Sequence, residues 1–317
     1  MRSTLAVRVG TRGSALARTQ TAWVVGHMER LGLTVTTETI STRGDVSTSV
    51  PISGIGGDGV FVRELERALL EGRIDAAVHS LKDLPTAPTP GLTLACVPLR
   101  ATPFDVLVGR DHPTLNEMPP GATIGTASIR RVVQVRSLRP DLVVRPIRGN
   151  VDTRLRLLDE GSYDGLVLAG AGLQRLGLAG RITQTLQPDA FWPAVAQGAL
   201  VIQVREDDLP VRRAIMPLDD AASHRAVLAE RSCLAALAGG CLAPIGAWAR
   251  DTADGRLELG ACVLEETVEN AGKIKIDRIL AESVAFAGES ATALGCRVAA
   301  DLVDQGANGM LARIRGG

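Results

Sequence analysis

Short apolar runs alternate with segments of helical periodicity up to about residue 204. The pattern predicts a strand at Leu5–Val9, a helix from about Ala15 to Leu31 and a second strand at Val35–Ile40. Such alternation is typical of α/β layers, in which helices cover a sheet. The first two thirds of the chain are therefore predicted to be α/β.

The pattern changes after Pro217. It predicts a helix at Arg225–Leu237, strands near Ile245–Ala249 and Leu257–Leu264, and a final helix at Ala291–Gln305. We interpret this last part of the chain as a small α+β domain.

An internal repeat indicates that one topology occurs twice. Glu71–Val78 (EGRIDAAV) recurs as Glu160–Val167 (EGSYDGLV), and the turn at Gly10–Ser14 resembles Gly125–Ser128. Unrelated strand-to-helix turns also favour Gly, Ser and Thr, but the longer repeat favours duplication. We expect two similar, doubly wound, periplasmic-binding-protein-like α/β domains around a cleft, plus the α+β C-terminal domain. Because open α/β sheets bind ligands beyond the carboxyl ends of their strands, the cleft is the expected site.

Proline pairs mark the expected crossings between these domains. Pro98 and Pro103 bracket a passage into the second domain, and Pro188 and Pro193 bracket a return, after which the strand Leu200–Val204 would rejoin the first. The predicted boundaries are 1–98 with 199–216, then 104–192, then 221–317. A chain of 317 residues suits two or three domains.

Composition narrows the class of partner. The 35 basic and 35 acidic residues give zero net charge, which argues against nucleic acid and membrane surfaces as partners. Arg8 and Arg12 interrupt the apolar run that a signal peptide needs, and no stretch of about 18 apolar residues could cross a membrane. The 5 cysteines form no C-x-x-C pair, and the 4 histidines lack zinc-ligand spacing. We expect a cytoplasmic protein without a metal.

Arginine is concentrated in residues 130–156, which hold eight arginines against two acids. Arg130 and Arg131 open a helix directly after a strand, and Arg148 and Arg154 flank a second helix start at Gly149–Asn150. Helix starts present free N–H groups, and guanidinium forks match carboxylate oxygens in pairs. These positions predict a ligand with several carboxylates.

Other arginines are given different roles. Arg12 lies at the equivalent junction of the first domain and would face the four arginines of the second. Arg136, Arg139 and Arg156 are predicted to lie on solvated helix or loop exteriors.

Charged residues follow another apolar strand in the segment His79–Pro85 (HSLKDLP). Lys82 and Asp83 are adjacent there, and Lys82 is the only lysine before residue 273. The residues alone leave two readings open, catalytic groups at a cleft-facing strand end or a surface pair.

Cys241 follows two glycines at a predicted helix end, which makes it the cysteine with the greatest expected access to solvent. As a residue it is compatible with a thiol nucleophile, an attachment point or a structural role. Cys96 and Cys262 in strands, and Cys233 and Cys296 in helices, are expected to be buried small hydrophobes.

Ordered segments along nearly the whole chain resemble the porphobilinogen deaminase family. They are Gly10–Ala17 with Gln20, Thr42–Asp45, Gly56–Glu66, Ala77–Asp83, Gly125–Arg131, Arg139–Asp141, Ile147–Arg154, Ala171–Gly177, Ala196–Ala199 and Gly239–Gly246.

The resemblance implies a transferase that joins four porphobilinogen molecules head to tail, with release of ammonia, onto a dipyrromethane primer. The primer would be bound covalently to Cys241 by a thioether, and Asp83, with Lys82, would be catalytic. It implies cofactor contacts by Arg12, Ser14, Asp45, Ser80, Lys82, Thr126, Ser128, Arg130, Arg131 and Gly149. It implies substrate contacts by Arg12, Gln20, Phe61, Arg148, Arg154, Arg175 and Gln197. A monomer is expected.

The chain departs from the family pattern at a few positions. Asp58 and Gly54 stand where many members carry lysine, and Ala238 replaces a common glutamate. The stretch Glu265–Ile276 is longer than usual and is expected to be a surface loop. Two other functions remain open, a two-domain binding protein for a carboxylated ligand and a paralogue with altered activity.

Overall fold

The computed structural model describes residues 5–40, 62–237, 243–268 and 274–316. Its strands, numbered in chain order, are β1 (Ala6–Arg12), β2 (Thr34–Ile40), β3 (Ala76–Ser80), β4 (Leu92–Cys96), β5 (Asp105–Gly109), β6 (Thr123–Gly125), β7 (Val143–Arg145), β8 (Gly165–Ala169), β9 (Gln184–Leu186), β10 (Leu200–Arg205), β11 (Ile245–Asp251), β12 (Leu257–Val268) and β13 (Ile274–Val284). Its α-helices are α1 (Ala15–Arg30), α2 (Arg63–Leu70), α3 (Ile129–Leu138), α4 (Val151–Asp159), α5 (Gly170–Arg175), α6 (Leu209–Ile215), α7 (Ala221–Ala236), α8 (Ala291–Asp304) and α9 (Ala307–Gly316).

The chain forms two compact units. The first consists of Met1–Ala101 and Gly198–His224, and the second of Thr102–Gln197 and Arg225–Gly317. The second unit contains two of the three sheets. The division into three domains at the boundaries given above stays a prediction.

The sheet of the first unit has the order β2-β1-β3-β10-β4. β1 is parallel to β2 and β3, whereas β10 is antiparallel to β3 and β4. Val7, Val9 and Ile202 are buried in its core, where β-branched side chains pack well on a pleated surface. β10 follows the strands of the second sheet in sequence but lies in the first, as the strand predicted at Leu200–Val204 requires.

The first sheet of the second unit repeats this arrangement with the order β7-β6-β8-β5-β9. β6 is parallel to β7 and β8, and β5 is antiparallel to β8 and β9. The sequence repeat falls on α2–β3 and α4–β8, and Gly72 and Gly161 follow those helices with φ of +68° and +79°. Glycine adopts this left-handed conformation without a Cβ clash. The predicted duplication of an α/β topology is confirmed.

The C-terminal sheet, β11-β12-β13, is antiparallel throughout. It shows that the surface loop predicted at Glu265–Ile276 is wrong, since Glu265 pairs with Asp277 and Val268 with Ile274 in a long hairpin. The high charge of this stretch indicated a loop, but Ile274–Asp277 alternate between apolar and charged residues, which is the strand period. Arg313 donates two hydrogen bonds of 2.6 Å to the buried carboxylate of Glu265 and so offsets its charge.

The second unit joins its two sheets through an apolar cluster. Trp192 packs with Val133 of α3 and with Cys262 and Leu264 of β12. A Cβ at Gly246 would lie 2.5 Å from the Cβ of Trp192, so only glycine fits beside this part of the tryptophan.

Two predicted surface arginines are structural instead. Arg136 Nη1 contacts both carboxylate oxygens of Glu266 at 2.5 and 2.7 Å, and both side chains are half-buried. Arg139 binds Asp141 and the carbonyl of Met118. The predicted exposed position is confirmed for Arg156, whose partner Glu160 lies one helical turn away on an exposed face.

Cys96, Cys233 and Cys262 are buried, as predicted. Cys296 is exposed, because it lies on the outer face of α8. Within the described residues, no helix is long and apolar enough to cross a membrane.

Candidate active site

In the first unit, candidate residues occupy the turns that follow β1 and β3. Arg12 ends β1, and Ser14 caps α1, its Oγ accepting from the N–H of Ala17 at 3.3 Å. A serine cap satisfies one of the free N–H groups of a helix start. The cap fixes the path of the chain between these two candidate residues.

The second turn carries the predicted catalytic pair. Leu81–Asp83 form a 3₁₀ turn directly after β3, with Leu81 buried beneath it. The N–H of Leu81 donates to the carbonyl of Ala199 at 3.0 Å. Lys82 is half-buried and Asp83 is exposed. The backbone of the turn is therefore held in place while the carboxylate stays accessible.

Ser80 and Gln20 contact each other at the start of this turn. The Gln20 amide lies 3.0 Å (Nε2) and 3.2 Å (Oε1) from the Ser80 hydroxyl, and Gln20 is buried. The structure thus brings Gln20 next to the turn that carries Lys82 and Asp83, with its amide hydrogen-bonded to Ser80.

His79, which sequence reasoning did not single out, is buried one residue before Ser80. Burial lowers the pKa of its imidazole to about 4. Its Nε2 makes no hydrogen bond to the described part of the chain. This histidine is therefore neutral at physiological pH.

In the second unit, the candidate arginines gather around Asp105, the first residue of β5. Asp105 is fully buried and accepts from Arg130 Nη1 at 2.7 Å, from Arg131 Nε and Nη2 at 3.0 and 2.7 Å, and from Gln197 Nε2 at 3.0 Å. Arg130 also donates to the carbonyl of Trp192. Although burial opposes it, the two guanidinium charges hold the pKa of Asp105 well below its usual range.

Sequence reasoning missed Asp105. It could have been found as the lone charged residue at the head of the apolar run Val106–Val108. Because buried arginines need an anion, a cluster of arginines at helix starts predicts a buried acidic residue close to them.

Among the described residues, two buried guanidinium groups, those of Arg130 and Arg131, share the one carboxylate of Asp105. Burial lowers the pKa of Arg131, although Asp105 opposes that shift. Burial and the nearby charge of Arg131 lower the pKa of Arg154 to about 10, and burial lowers that of Arg175 to about 10. A guanidinium in this condition gains from an anion placed against it. Arg148, by contrast, is exposed.

The turn at Gly149 holds Arg154 in place. Gly149 has φ +97°, and a Cβ there would lie 2.8 Å from the Thr153 side chain, so glycine is required. Its carbonyl accepts from Arg154 Nε at 2.8 Å. The predicted helix start at Gly149–Asn150 is confirmed, with Asn150 at the N-cap of α4.

A second helix start lies beside the arginines. Thr126 is buried, and its Oγ1 accepts from the N–H of Ser128 at 3.3 Å. Ser128 occupies the N-cap of α3, but its side chain makes no capping bond within the structure described here. The Ser128 hydroxyl is therefore not committed to the helix.

Three predicted site residues, Asp45, Phe61 and Cys241, lie outside the described residues. So do the departures at Gly54, Asp58 and Ala238. In the part of the chain that is described, no group of three His, Cys, Asp or Glu side chains is arranged to hold a metal ion.

Comparisons with known proteins identify the family. Residues 7–213 match the family model "Porphobilinogen deaminase, dipyromethane cofactor binding domain", and residues 224–304 match "Porphobilinogen deaminase, C-terminal domain". The porphobilinogen deaminase of Roseiflexus sp. (strain RS-1) is 45% identical over 306 residues, which cover 96% of this chain and 98% of that protein. That of Thermus thermophilus is 45% identical over 314 residues, 98% of this chain and 99% of the other.

Among solved structures, the methionine-binding protein MetQ aligns with a TM-score of 0.42 at 15% identity, over 67% of this chain and 89% of that one. The chain belongs to the porphobilinogen deaminase family. It is an enzyme of the transferase type, and its α/β part is the family's dipyrromethane cofactor-binding region.

Proposed function

We propose that the protein joins four porphobilinogen molecules head to tail, releasing ammonia at each step, onto a dipyrromethane primer attached to Cys241 by a thioether. Hydrolysis then releases the linear tetrapyrrole. The observation that carries this proposal is the excess of buried guanidinium charge around Asp105. Each pyrrole unit brings an acetate and a propionate, so primer and growing chain could place further carboxylates against these arginines.

The residues present fit the cofactor. In the second unit, Arg131 and Arg154 would bind its carboxylates, with the Ser128 hydroxyl adding a neutral donor. The family resemblance makes Arg12, Ser14, Ser80 and Lys82 of the first unit further candidates for cofactor contacts. When bound, the dipyrromethane supplies a free pyrrole carbon as the nucleophile for the first condensation.

Some residues are better assigned to positioning than to ligand contact. Gln20 holds Ser80, and Arg130 is occupied by Asp105 and the Trp192 carbonyl. Arg148 and Arg175 remain candidates for the substrate carboxylates, together with Gln197.

Asp83 would act on the reacting carbon. Breaking the C–N bond of porphobilinogen releases ammonia and leaves a cationic azafulvene, and an exposed carboxylate on a fixed turn stabilises positive charge that develops next to it. The same group can give a proton to the departing amine. The bound primer would supply the pyrrole carbon that forms the new carbon–carbon bond to this cation and then loses its proton.

The intact mass of the denatured protein tests the covalent primer. Wild type should exceed its polypeptide mass by one dipyrromethane and should gain further pyrrole units after porphobilinogen is added. Cys241→Ser should lack the adduct. Cys296→Ser is the matched control because Cys296 is the exposed cysteine among the described residues, and it should keep the adduct. Wild type without an adduct would overturn the proposal and favour a carboxylate-binding protein.

Monomeric state and cytoplasmic location belong to the same proposal. The described cysteines Cys96, Cys233, Cys262 and Cys296 are all free thiols, which suits a reducing compartment. Light scattering after gel filtration should give the mass of one chain. A dimer mass would contradict the monomer.

A further inference from the structure

Among the described residues, Ala196 is the one non-glycine residue with a positive φ, at +57°. This left-handed conformation brings the alanine Cβ close to its own backbone, so a non-glycine residue keeps it only where its surroundings compensate. Ala196 is also fully buried, so solvent does not provide that compensation.

The compensating group is Glu230 of α7. Its Oε2 accepts from the N–H of Ala196 at 2.6 Å, and its Oε1 accepts from the N–H of Ala249 in β11 at 2.9 Å. Glu230 is fully buried, and a buried carboxylate needs such donors because it has lost its water. One side chain of the C-terminal part of the chain thus fixes the strained residue.

The residue that follows Ala196 belongs to the arginine cluster. The Gln197 amide donates to the carbonyl of Pro103 at 2.7 Å and to Asp105 at 3.0 Å, while its Oε1 lies 3.5 Å from Arg131 Nη2. A rotation of the Ala196 backbone would move Gln197 away from Asp105, and Arg131 would lose a neighbour that orients it.

We infer that Glu230 is a positioning residue for the carboxylate-binding site. It holds Ala196 in the left-handed conformation and thereby sets Gln197 and Arg131 against Asp105. The inference rests on the proposed function, since it assigns Glu230 to the binding of porphobilinogen and the growing chain rather than to folding alone.

Glu230→Gln tests this inference. The amide keeps one acceptor oxygen but turns an NH₂ group toward the second N–H, so one of the two hydrogen bonds is lost. We expect the KM for porphobilinogen to rise about tenfold, with a smaller change in kcat, because a displaced side chain weakens binding geometry. The melting temperature should also fall.

The rescue variant separates positioning from stability. Glycine adopts φ near +57° without strain, so Ala196→Gly added to Glu230→Gln should return KM toward the wild-type value. The melting temperature should stay low, because the Ala249 contact and the buried polar site are not restored. If Glu230→Gln is insoluble, Glu230→Asp with and without Ala196→Gly gives the same comparison.

Cys233→Ala is the matched control. Cys233 is fully buried on the same helix, three residues beyond Glu230, so its truncation leaves a cavity without touching the turn. It should lower the melting temperature and leave KM unchanged.

The outcomes distinguish the inference from the function. Absence of tetrapyrrole product from wild type would overturn the proposed function itself. An active wild type with an unchanged KM in Glu230→Gln would overturn only the inference, as would a KM that rises equally in Cys233→Ala.

Discussion

The two α/β domains have the same strand order but place different chemistry at the ends of their strands. After β3 the first domain presents an exposed carboxylate, Asp83, and the nearby buried group is the neutral His79. In the second domain Arg130 and Arg131 are buried as charged groups against Asp105. One sheet topology therefore supports an accessible acid in one copy and a desolvated cation cluster in the other.

This difference shows what a duplicated sheet leaves free to vary. Strand order and helix starts depend on apolar side chains and glycine, which both copies share at positions such as Gly72 and Gly161. Charged side chains at the strand ends lie outside the apolar clusters that hold the sheets together, so they can differ between the two copies of the topology. The comparison predicts that substitutions in the first site affect chemistry, whereas those in the buried arginine cluster of the second affect binding and stability together.

The largest effect is expected from Asp83→Asn. Turnover should fall by roughly a hundredfold or more, because an amide cannot stabilise a developing cation. The covalent primer and the melting temperature should stay at wild-type values, since Asp83 is exposed. Product formation and intact mass are the measurements.

Asp207→Asn is the control for this variant. Asp207 is an exposed aspartate of the same unit, and the change should leave turnover intact. Substantial turnover by Asp83→Asn would remove the catalytic role from the first site.

In the second domain, Arg131→Leu and Arg148→Leu should distinguish a buried, paired arginine from an exposed one. Arg131→Leu leaves Asp105 with one guanidinium partner, and breaking a buried pair costs roughly 3 kcal/mol or more. For Arg131→Leu, the free energy of unfolding should therefore fall and the KM should rise. Arg148 is exposed, so Arg148→Leu should raise KM about tenfold, a loss of about 1.4 kcal/mol, with an unchanged melting temperature.

Urea titrations and initial rates would check both variants. A wild-type KM in Arg148→Leu would exclude it from substrate binding, and wild-type stability in Arg131→Leu would contradict the buried pair.

The neutral His79 gives the first domain its own pH dependence. Its folded-state pKa of about 4 lies below the ordinary value of 6.5, so the unfolded chain binds the proton more readily. The contribution of the neutral His79 to the free energy of unfolding is therefore fully present above pH 6.5. It is lost as the pH falls toward 4, by about 2 kcal/mol between pH 7 and pH 5. Asp105 has a lowered pKa, so its contribution is lost only below the ordinary aspartate range.

Unfolding by urea at pH 7 and pH 5 would measure this effect in wild type and in His79→Gln. The variant removes the titrating group, so its stability should change less between the two pH values. An equal loss in both proteins would show that another group is responsible.

Much of this architecture follows from the sequence, for identifiable reasons. Helix α1 and strand β2 were predicted within a residue or two, because their apolar periods and caps are local. Strand β13 was missed because its charged residues resemble a loop until their alternation is noticed. Within the site, the arginines could be recognised from the sequence because eight of them lie in residues 130–156. Asp105 and Glu230, by contrast, are single acidic residues in apolar segments, which gives no such signal. Their partners are distant in sequence, so only the fold brings them together.

The smallest expected effect belongs to Arg136→Leu, which tests where the binding site of the second domain ends. Arg136 bonds Glu266 through half-buried side chains, so its loss should cost about 0.5–1 kcal/mol of stability. KM and kcat should remain at wild-type values, because Arg136 is directed to the C-terminal sheet and not to Asp105. A double-mutant cycle with Glu266→Gln, followed by urea unfolding, isolates the pair. Arg156→Leu, with its exposed partner one turn away, is the control and should lose less stability. A raised KM in Arg136→Leu would extend the binding cluster along α3, whereas a stability loss alone would confine it to the first turn of that helix.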